Sequence, residues 1–438
     1  MIDIIFAIPY FILVFWMLGK IRFFKNSGFS IKSLQFAFLL KVFSGYVLFY
    51  IYAYHYNNRI ESDTFKYFDD SYHMYRAFFS NPIDYLKMLF GISCEGAHFD
   101  DLYYQDMYNW YRPYESSLYN DNRLIIRLNA FIRIFSFGNY HVHNLVFNLL
   151  SFIGLVGLAR FFLYHLKNEW KIYIAVFLIP SVVFWGSGVL KESILMFAIG
   201  LFCYHFHKKF RLKVALILLL SLGIMLVLKF YVLMALMPVV VAWLLNKKQI
   251  KNVAFAYATS ILSISLVAFI IGYLIPEYNV ISILVTKQND FVNMANVMKV
   301  NSAFEMAPLT PDLWAIVKAI PEGLFNCFTK PWPTEIKNPL FVASFLENLL
   351  ILVLLGGAIA WYKKPNKYSL NFILFCVAFT MFLFAIIGIT TPITGALVRY
   401  KVPALPFLVI GILTFIDPKK INYPWKKKFV KKANKFLS

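Results

Sequence analysis

The stretch LQFAFLLKVFSGYVLFYIYAY, residues 34–54, is followed after a short gap by ESDTFKYFDD, residues 61–70. The first segment is apolar and long enough to cross a bilayer as a helix, which needs about 20 such residues. The second segment opens a long loop that is rich in polar and aromatic residues. Carboxylates at a bilayer surface must be solvated, paired or used in chemistry. This junction therefore indicates both a membrane fold and a candidate site.

The composition places the whole chain in the same class. Its 438 residues are 60% hydrophobic and 19% aromatic, and its mean hydropathy is +0.64. These values exclude an ordinary soluble globular protein. We expect one polytopic membrane unit rather than two or three soluble domains.

Apolar runs of spanning length recur along the chain and predict about eleven transmembrane helices. They lie near residues 2–19, 34–54, 143–165, 171–186, 189–207, 212–229, 230–246, 253–275, 341–362, 369–389 and 402–417. The first run has no basic segment before it and no clear cleavage site, so we expect a retained membrane helix rather than a signal peptide. The predicted fold class is an all-α polytopic membrane protein with about eleven transmembrane helices and with interfacial helices in two long outer loops.

The charges indicate how the chain is oriented. A net charge of +21 would suggest a nucleic-acid partner in a soluble protein. Here the Lys and Arg residues concentrate in short loops and in the C-terminal tail, as the positive-inside rule predicts, so no nucleic acid is expected. With eleven spans, all these basic loops fall on the cytoplasmic side. The N-terminus is then outside and the C-terminus is cytoplasmic.

Two long loops, 55–142 and 276–340, remain on the outer side. The first contains amphipathic patterns of helical period, which predict helices that lie in the membrane interface. Asp63, Asp69 and Asp70 stand at its start. One carboxylate could act as a general base or bind a metal. The alternative is a solvated acid or a helix cap, and Asp63 suits capping well. These acids permit a divalent cation without requiring one, and no other cofactor is indicated.

Lys191 and Glu192 stand in a very short predicted connection on the same side. An ion pair at the edge of hydrocarbon is costly unless it faces a polar cavity. The alternative is a neutralised pair at a helix N-terminus, where Glu is favourable. Two further charged residues, Lys41 and Glu347, fall inside spans and are expected to pair within the bundle.

Two cations on the outer side depart from the positive-inside trend. Arg399 and Lys401 flank Tyr400 before the last span, where they could hold a phosphate. The alternative is interfacial snorkelling. Lys330 and Trp332 end the second long loop. Lys330 could join a phosphate site, while Trp332 could stack on a sugar or, as the alternative, anchor at the interface.

The arrangement resembles the GT-C glycosyltransferase superfamily, with the nearest likeness to bacterial relatives of dolichyl-phosphate-mannose protein mannosyltransferases and of the lipid A aminoarabinose transferase. The likeness is architectural and covers nearly all the chain apart from one extra N-terminal span. In such enzymes an acidic motif lies in a long first outer loop, where Asp63 matches. A second acid lies two helices further on, where Glu192 matches. The closing Arg399-Tyr-Lys-Val-Pro-Ala-Leu-Pro406 resembles their Arg-Tyr-x-x-Pro ending. Asp63-Thr64, however, is not the Asp-Glu pair of the protein mannosyltransferases.

The resemblance implies inverting transfer of a sugar from a polyprenyl-phosphate donor to a glycan, lipid or protein acceptor at the periplasmic face of a bacterial inner membrane. Asp63 would be the base, and Glu192 would orient the acceptor or Lys191. Arg399, helped by Lys191 or Lys330, would stabilise the lipid phosphate. The alternatives are an oligosaccharide polymerase or ligase of the same pathway, a lipid-linked glycan transporter or flippase, and a non-catalytic scaffold.

The resemblance also divides the chain. Residues 1–33 form an extra N-terminal span with a basic cytoplasmic loop, and residues 34–275 form the GT-C-like module with its outer loop 55–142. Residues 276–340 form the second outer loop, residues 341–417 the C-terminal spans, and residues 418–438 a basic cytoplasmic tail that suits an anionic leaflet.

Overall fold

The computed structural model describes residues 2–55, 59, 62–111, 120–247 and 252–421. Within these ranges every named element is a helix, and no β-strand forms. The α-helices are α1 (Ile2–Lys20), α2 (Arg22–Lys25), α3 (Ile31–Tyr50), α4 (Asp63–Ser80), α5 (Pro82–Phe90), α6 (Ala97–Phe99), α7 (Asn122–Ser136), α8 (Tyr140–Leu166), α9 (Glu169–Phe177), α10 (Pro180–Trp185), α11 (Lys191–Phe206), α12 (Leu212–Leu228), α13 (Phe230–Lys247), α14 (Val253–Leu274), α15 (Val280–Val297), α16 (Leu313–Thr329), α17 (Pro339–Ala360), α18 (Lys367–Thr390), α19 (Thr394–Tyr400) and α20 (Leu405–Phe415).

Six of the described helices are long and apolar enough to cross a membrane, namely α1, α3 with its π-helical extension to Tyr54, α8, α14, α17 and α18. The helices α19 and α20 meet at 65° and make a seventh span if the bent pair counts as one. This is the construction of a multi-pass helical membrane protein, as the composition predicts. Each of the six coincides within a few residues with a predicted span.

The other predicted spans are short or broken. The run 171–186 is divided into α9 and α10, because Pro180 lacks the N–H that would continue the first helix and is well suited to begin the second. The helices α11, α12 and α13 cover the next three runs, but they are shorter than the six long helices or interrupted at Lys229. The count of eleven spans therefore stays a prediction. The basic tail 418–438 lies outside the described residues from position 422 onward.

Close contact between backbones holds the centre of the bundle together. Helix α8 packs against α11 at Gly154 and Gly200, where a Cβ on either glycine would run into the backbone of the facing helix. Helices α16 and α18 meet in the same way at Gly323 and Gly388. Small residues at a crossing allow membrane helices to approach this closely. Bulky aromatic and aliphatic side chains fill the remaining space around α8.

The first long loop builds a hydrophobic core of its own. Helices α4, α5 and α7 bury Met74, Tyr85 and Ile126 between them. The same core continues onto the membrane helices through Phe147 of α8 and Ile194 of α11. The amphipathic segments of this loop are thus helices, as predicted. Their packing holds the first turn of α4 beside the start of α11.

Candidate active site

One arginine near the end of the described chain joins two acids from distant segments. The Nη1 of Arg399 donates a hydrogen bond to Oδ2 of Asp63 at 2.9 Å. Its Nε lies 2.8 Å from Oε1 of Glu192. The Glu192 side chain is 1% exposed and that of Asp63 is 39% exposed, so the group is open only at the Asp63 end. The structure thus brings together three residues that sequence reasoning placed in one site.

Local helix preferences favour these three positions. Asp63 lies in the first turn of α4 and Glu192 in the first turn of α11, whereas Arg399 lies in the last turn of α19. Acids near helix N-termini and cations near C-termini complement the helix dipole. Asp63 is not the cap of its helix, because the N-cap position is Ser62. Its carboxylate is therefore available to Arg399.

A second ion pair stands next to the first. The Nζ of Lys191 lies 2.6 Å from Oδ2 of Asp121, and the two side chains are 5% and 15% exposed. Lys191 thus has a carboxylate partner other than its chain neighbour Glu192, which contacts Arg399 instead. Sequence reasoning missed Asp121, which directly precedes α7 and carried no motif.

A third cation approaches from the break between α12 and α13. Lys229 is 8% exposed, and its Nζ lies 4.1 Å from the centre of the Tyr400 ring and 5.7 Å from that of Tyr231. Asp121 and Glu192 are the carboxylates that act on its charge. The sequence signal was a lone lysine between two apolar runs, but it was absorbed into the predicted span 212–229. The charge cluster, as the term is used below, consists of Asp63, Asp121, Lys191, Glu192, Lys229 and Arg399.

Several polar atoms of the charge cluster are buried without a hydrogen bond. Both carboxylate oxygens of Glu192 and the Nε of Arg399 have no well-oriented partner among the described residues, although the two groups approach to 2.8 Å. Their attraction is therefore one of charge rather than of an aligned hydrogen bond. Buried polar atoms are nearly always hydrogen-bonded in native proteins, and exceptions often mark a ligand or water site.

The charges around Asp63 favour the ionised form of its carboxyl group over the protonated form. Burial alone would raise the pKa of its carboxyl, but the charges of Arg399, Lys191 and Lys66 and the hydrogen bond from Arg399 outweigh that effect. Together they lower the pKa of Asp63 to about 2. The carboxylate is thus ionised at neutral pH, and it is a weak base while Arg399 remains bound to it.

A network around Lys41 fixes the turn that leads into Glu192. The buried ammonium of Lys41 donates to the carbonyl oxygen of Gly186. Ser187 donates to the Lys41 carbonyl at 3.0 Å, and Ser193 donates to the Gly188 carbonyl at 2.8 Å. Gly188 has a φ of +76°, a backbone conformation that glycine adopts easily and that residues with a Cβ rarely adopt. Lys41 therefore pairs inside the bundle with backbone, and it positions the first turn of α11.

Other predicted site residues lie outside the charge cluster and hold helices together. Lys401 donates to the Cys327 carbonyl and to Oδ1 of Asn348, both at 2.9 Å. Asn348 in turn donates to the carbonyl of Lys330 at 2.7 Å. The ammonium of Lys330 binds Glu335. Lys401 thus ties α19 to α16 and α17, whereas the Lys330 ammonium is held by an acid five residues further along the chain.

The remaining candidates also have their own surroundings. Asp69 forms an exposed ion pair with Arg59 at 2.8 Å. Asp70 is buried and accepts the backbone N–H groups of Tyr108 and Asn109, both at 2.8 Å. Burial raises the pKa of Asp70 to about 6, against the effect of these two hydrogen bonds. Trp332 is 41% exposed. None of these three belongs to the charge cluster, whereas Tyr400 borders it through Lys229.

In the part of the chain that the structure describes, no group of three or more His, Cys, Asp or Glu side chains is arranged to hold a metal ion. No protein-family model, curated protein or solved structure matches this chain. The fold and the site define a class, a multi-pass helical membrane protein with a buried charge cluster where α4, α11, α13 and α19 meet.

Proposed function

We propose that this protein is a GT-C-like membrane glycosyltransferase that moves a sugar from a polyprenyl-phosphate donor to an acceptor hydroxyl at the periplasmic face of a bacterial inner membrane. The observation that carries the proposal is the meeting of Asp63, Glu192 and Arg399. A transfer of this kind needs a base for the acceptor, a polar contact to orient it and a cation for the lipid phosphate. One cluster supplies all three.

In the proposed reaction Asp63 removes the proton from the acceptor hydroxyl as its oxygen attacks the anomeric carbon. The bond between that carbon and the phosphate oxygen breaks, and its electron pair leaves with the polyprenyl phosphate. Attack from the face opposite the phosphate inverts the anomeric configuration. Arg399 stabilises the negative charge that grows on the leaving phosphate, a contribution of about 2.7–4 kcal/mol for one well-placed donor. Glu192 accepts a hydrogen bond from the acceptor.

Because Asp63 and Glu192 share Arg399, the donor would have to bind before Asp63 becomes an effective base. The single positive charge of Arg399 is shared between the carboxylates of Asp63 and Glu192. A donor phosphate competes for the same guanidinium and weakens its hold on Asp63. Because that hold lowers the pKa of Asp63, donor binding raises this pKa and makes the carboxylate a stronger base. The base would thus be activated only when the donor is present.

The proposal includes a topology. It needs the loops 55–142 and 276–340 on the periplasmic side, the basic loops on the cytoplasmic side, and the helices α9–α13 counted among about eleven spans. The polyprenyl tail would lie between spans. Single cysteines introduced as Asp101→Cys and Lys213→Cys test this topology independently of activity. An impermeant thiol reagent added from the periplasmic side should label the first and not the second.

The activity is tested with purified protein in lipid nanodiscs and undecaprenyl-phosphate sugars as donors. We expect sugar release or transfer by the wild type and a loss of about 10²–10⁴-fold in Asp63→Asn, because the base is removed. Asp101→Asn, an exposed acid of the same loop that hydrogen-bonds Gln105, is the matched control and should keep full turnover. Equal turnover in wild type and Asp63→Asn would remove the proposed base. No turnover with any donor would favour the transporter or scaffold alternative.

A further inference from the structure

Lys229 faces the charge cluster from a helix break rather than from a regular helix. Its backbone, with φ −152° and ψ 79°, ends α12 and precedes α13. The amide N–H still bonds the Met225 carbonyl at 2.9 Å, and the Lys229 carbonyl accepts from Val232 at 2.9 Å. The break is thus well formed. It brings the Lys229 ammonium beside Tyr400, the residue that follows Arg399.

This ammonium has no anionic partner of its own in the part of the chain that the structure describes. Over the described residues Lys229 makes no ion pair and no side-chain hydrogen bond, and its side chain contacts the faces of Tyr231 and Tyr400 instead. The carboxylates that act on it, Asp121 and Glu192, already contact Lys191 at 2.6 Å and Arg399 at 2.8 Å. Burying an unpaired ammonium is costly, and aromatic faces recover only part of that cost.

The charges around Lys229 leave room for an added anion. The charge cluster holds three cations and three carboxylates, and Lys66, which acts on Asp63, acts on Asp70 as well. Within this balanced set Lys229 is the cation that has no close carboxylate among the described residues. The Nε of Arg399 lies 2.8 Å from Glu192 but has no aligned hydrogen-bond acceptor among the described residues. A ligand with one or two negative charges would offer acceptors to both Lys229 and Arg399.

We propose that Lys229 and Arg399 together bind the phosphate group of a lipid-linked phosphate, and that Lys229 supplies its second cation. This assignment deepens the proposed function, because the phosphate is that of the donor and of the leaving group. Charge-assisted hydrogen bonds to a phosphate from two converging cations are stronger than neutral ones. The unpartnered oxygens of Glu192 are left for hydroxyl groups.

Binding is measured on the full chain in nanodiscs, with undecaprenyl phosphate as the probe and undecaprenol as the uncharged reference. We expect Lys229→Gln to weaken undecaprenyl phosphate binding about tenfold or more and to leave undecaprenol binding unchanged. Lys229→Arg, which keeps the charge, should stay within a few-fold of wild type. Lys213→Gln, an exposed lysine at the other end of α12, is the matched control and should bind as wild type.

Inorganic phosphate forms a second arm of the same experiment. Displacement of undecaprenyl phosphate by inorganic phosphate, weaker in Lys229→Gln, assigns the site to the phosphate group alone. Binding of the lipid without displacement assigns it to the phosphate together with its tail. Either result keeps the proposal. Equal affinity for undecaprenyl phosphate and undecaprenol, or equal binding by wild type and a folded Lys229→Gln, would overturn it.

A labelling experiment on the wild type covers the case in which Lys229→Gln does not fold. With ¹⁵N-lysine in the protein, solid-state NMR should show dephasing of one lysine ¹⁵N signal by the ³¹P of bound undecaprenyl phosphate, and Lys229→Arg, which keeps the charge, should remove that signal. The absence of such dephasing at the Lys229 signal would overturn the proposal. Because neither readout depends on sugar transfer, Lys229-dependent binding without turnover would contradict only the proposed function.

Discussion

The guanidinium of Arg399 donates a 2.9 Å hydrogen bond to the carboxylate of Asp63, although 336 positions separate the two residues in the chain. The contact joins the last described spans to the first turn after the second span. It is possible only because α19 ends where α4 and α11 begin. Among the described residues Arg399 contacts both Asp63 and Glu192, so most of the predicted properties of the site depend on this arginine.

Replacement of Arg399 tests whether the arginine holds the charge cluster together. We expect Arg399→Gln to lower the free energy of unfolding by about 3–5 kcal/mol, because it leaves the buried carboxylate of Glu192 without its cation. Thermal unfolding in detergent measures this change. The double variant Arg399→Gln with Glu192→Gln removes both charges and should recover much of the loss. A double variant no more stable than the single one would contradict the pairing.

The dependence of transfer on pH should differ between the two kinetic constants. In the free protein the pKa of Asp63 is lowered to about 2, so kcat/KM should not fall on the acid side until the pH is well below about 5. With donor bound, Arg399 contacts the phosphate and the pKa of Asp63 rises. The acid limb of kcat should therefore lie at higher pH than that of kcat/KM. An acid limb of kcat/KM centred above about pH 5 that shifts in Asp63→Glu would speak against this order.

The same ion pair gives stability a pH dependence of known sign. The folded pKa of Asp63 is below its ordinary value of 3.8, so its contribution is complete above about pH 4 and is lost as the pH falls toward 2. The difference in thermal midpoint between wild type and Asp63→Asn should therefore shrink on acidification. A difference that grows toward low pH would be inconsistent with the pairing.

Neighbouring acids of α4 should behave differently. Asp70→Asn keeps one acceptor oxygen but loses one of the two bonds to the backbone of Tyr108 and Asn109, and we expect a loss of about 1–3 kcal/mol. Asp69→Asn breaks only the exposed pair with Arg59 and should change stability by less than about 1 kcal/mol. Thermal unfolding of the two variants, side by side, makes the comparison. A reversed order would show that the Asp70 contacts do not support the loop.

The helix crossing of α8 and α11 can be tested at its glycines. A Cβ at Gly200 would meet the backbone at Gly154, so we expect Gly200→Ala to cost at least about 1–3 kcal/mol. Gly223 of α12 has open space around its Cβ position. Gly223→Ala is the matched control and should be neutral or stabilising by up to about 1 kcal/mol. Equal thermal midpoints for both variants would contradict the close crossing.

Much of the architecture was predictable from hydropathy. Six predicted spans coincide with long apolar helices, because burial in lipid demands an uninterrupted apolar run that is visible in a single window. The division of the run 171–186 into α9 and α10 was not predictable, because a short proline-broken pair of helices and a single helix have the same average hydropathy. The long-loop helices followed from their amphipathic period.

The candidate site was predictable only in part. Asp63, Glu192 and Arg399 stood out as charges beside apolar runs. Lys330 and Lys401 are also charges beside apolar runs, yet they contact protein groups elsewhere. Trp332, which was predicted to bind substrate, lies apart from the charge cluster. Hydropathy reports the free-energy cost of burying a charged side chain at one position, which is a local property. The hydropathy pattern does not show which partner residue offsets that cost.

The sequence by itself determined that this is an apolar, helical, multi-pass chain with acids and cations at the ends of its spans, since these features depend on local composition and period. The tertiary structure alone decided that Arg399 bridges Asp63 and Glu192, that Lys191 contacts Asp121, and that Lys229 contacts the rings of Tyr231 and Tyr400 and forms no ion pair with a described residue. Those relationships depend on the crossings of α8 with α11 and of the other helices, where packing over hundreds of residues sets which charges share one buried space.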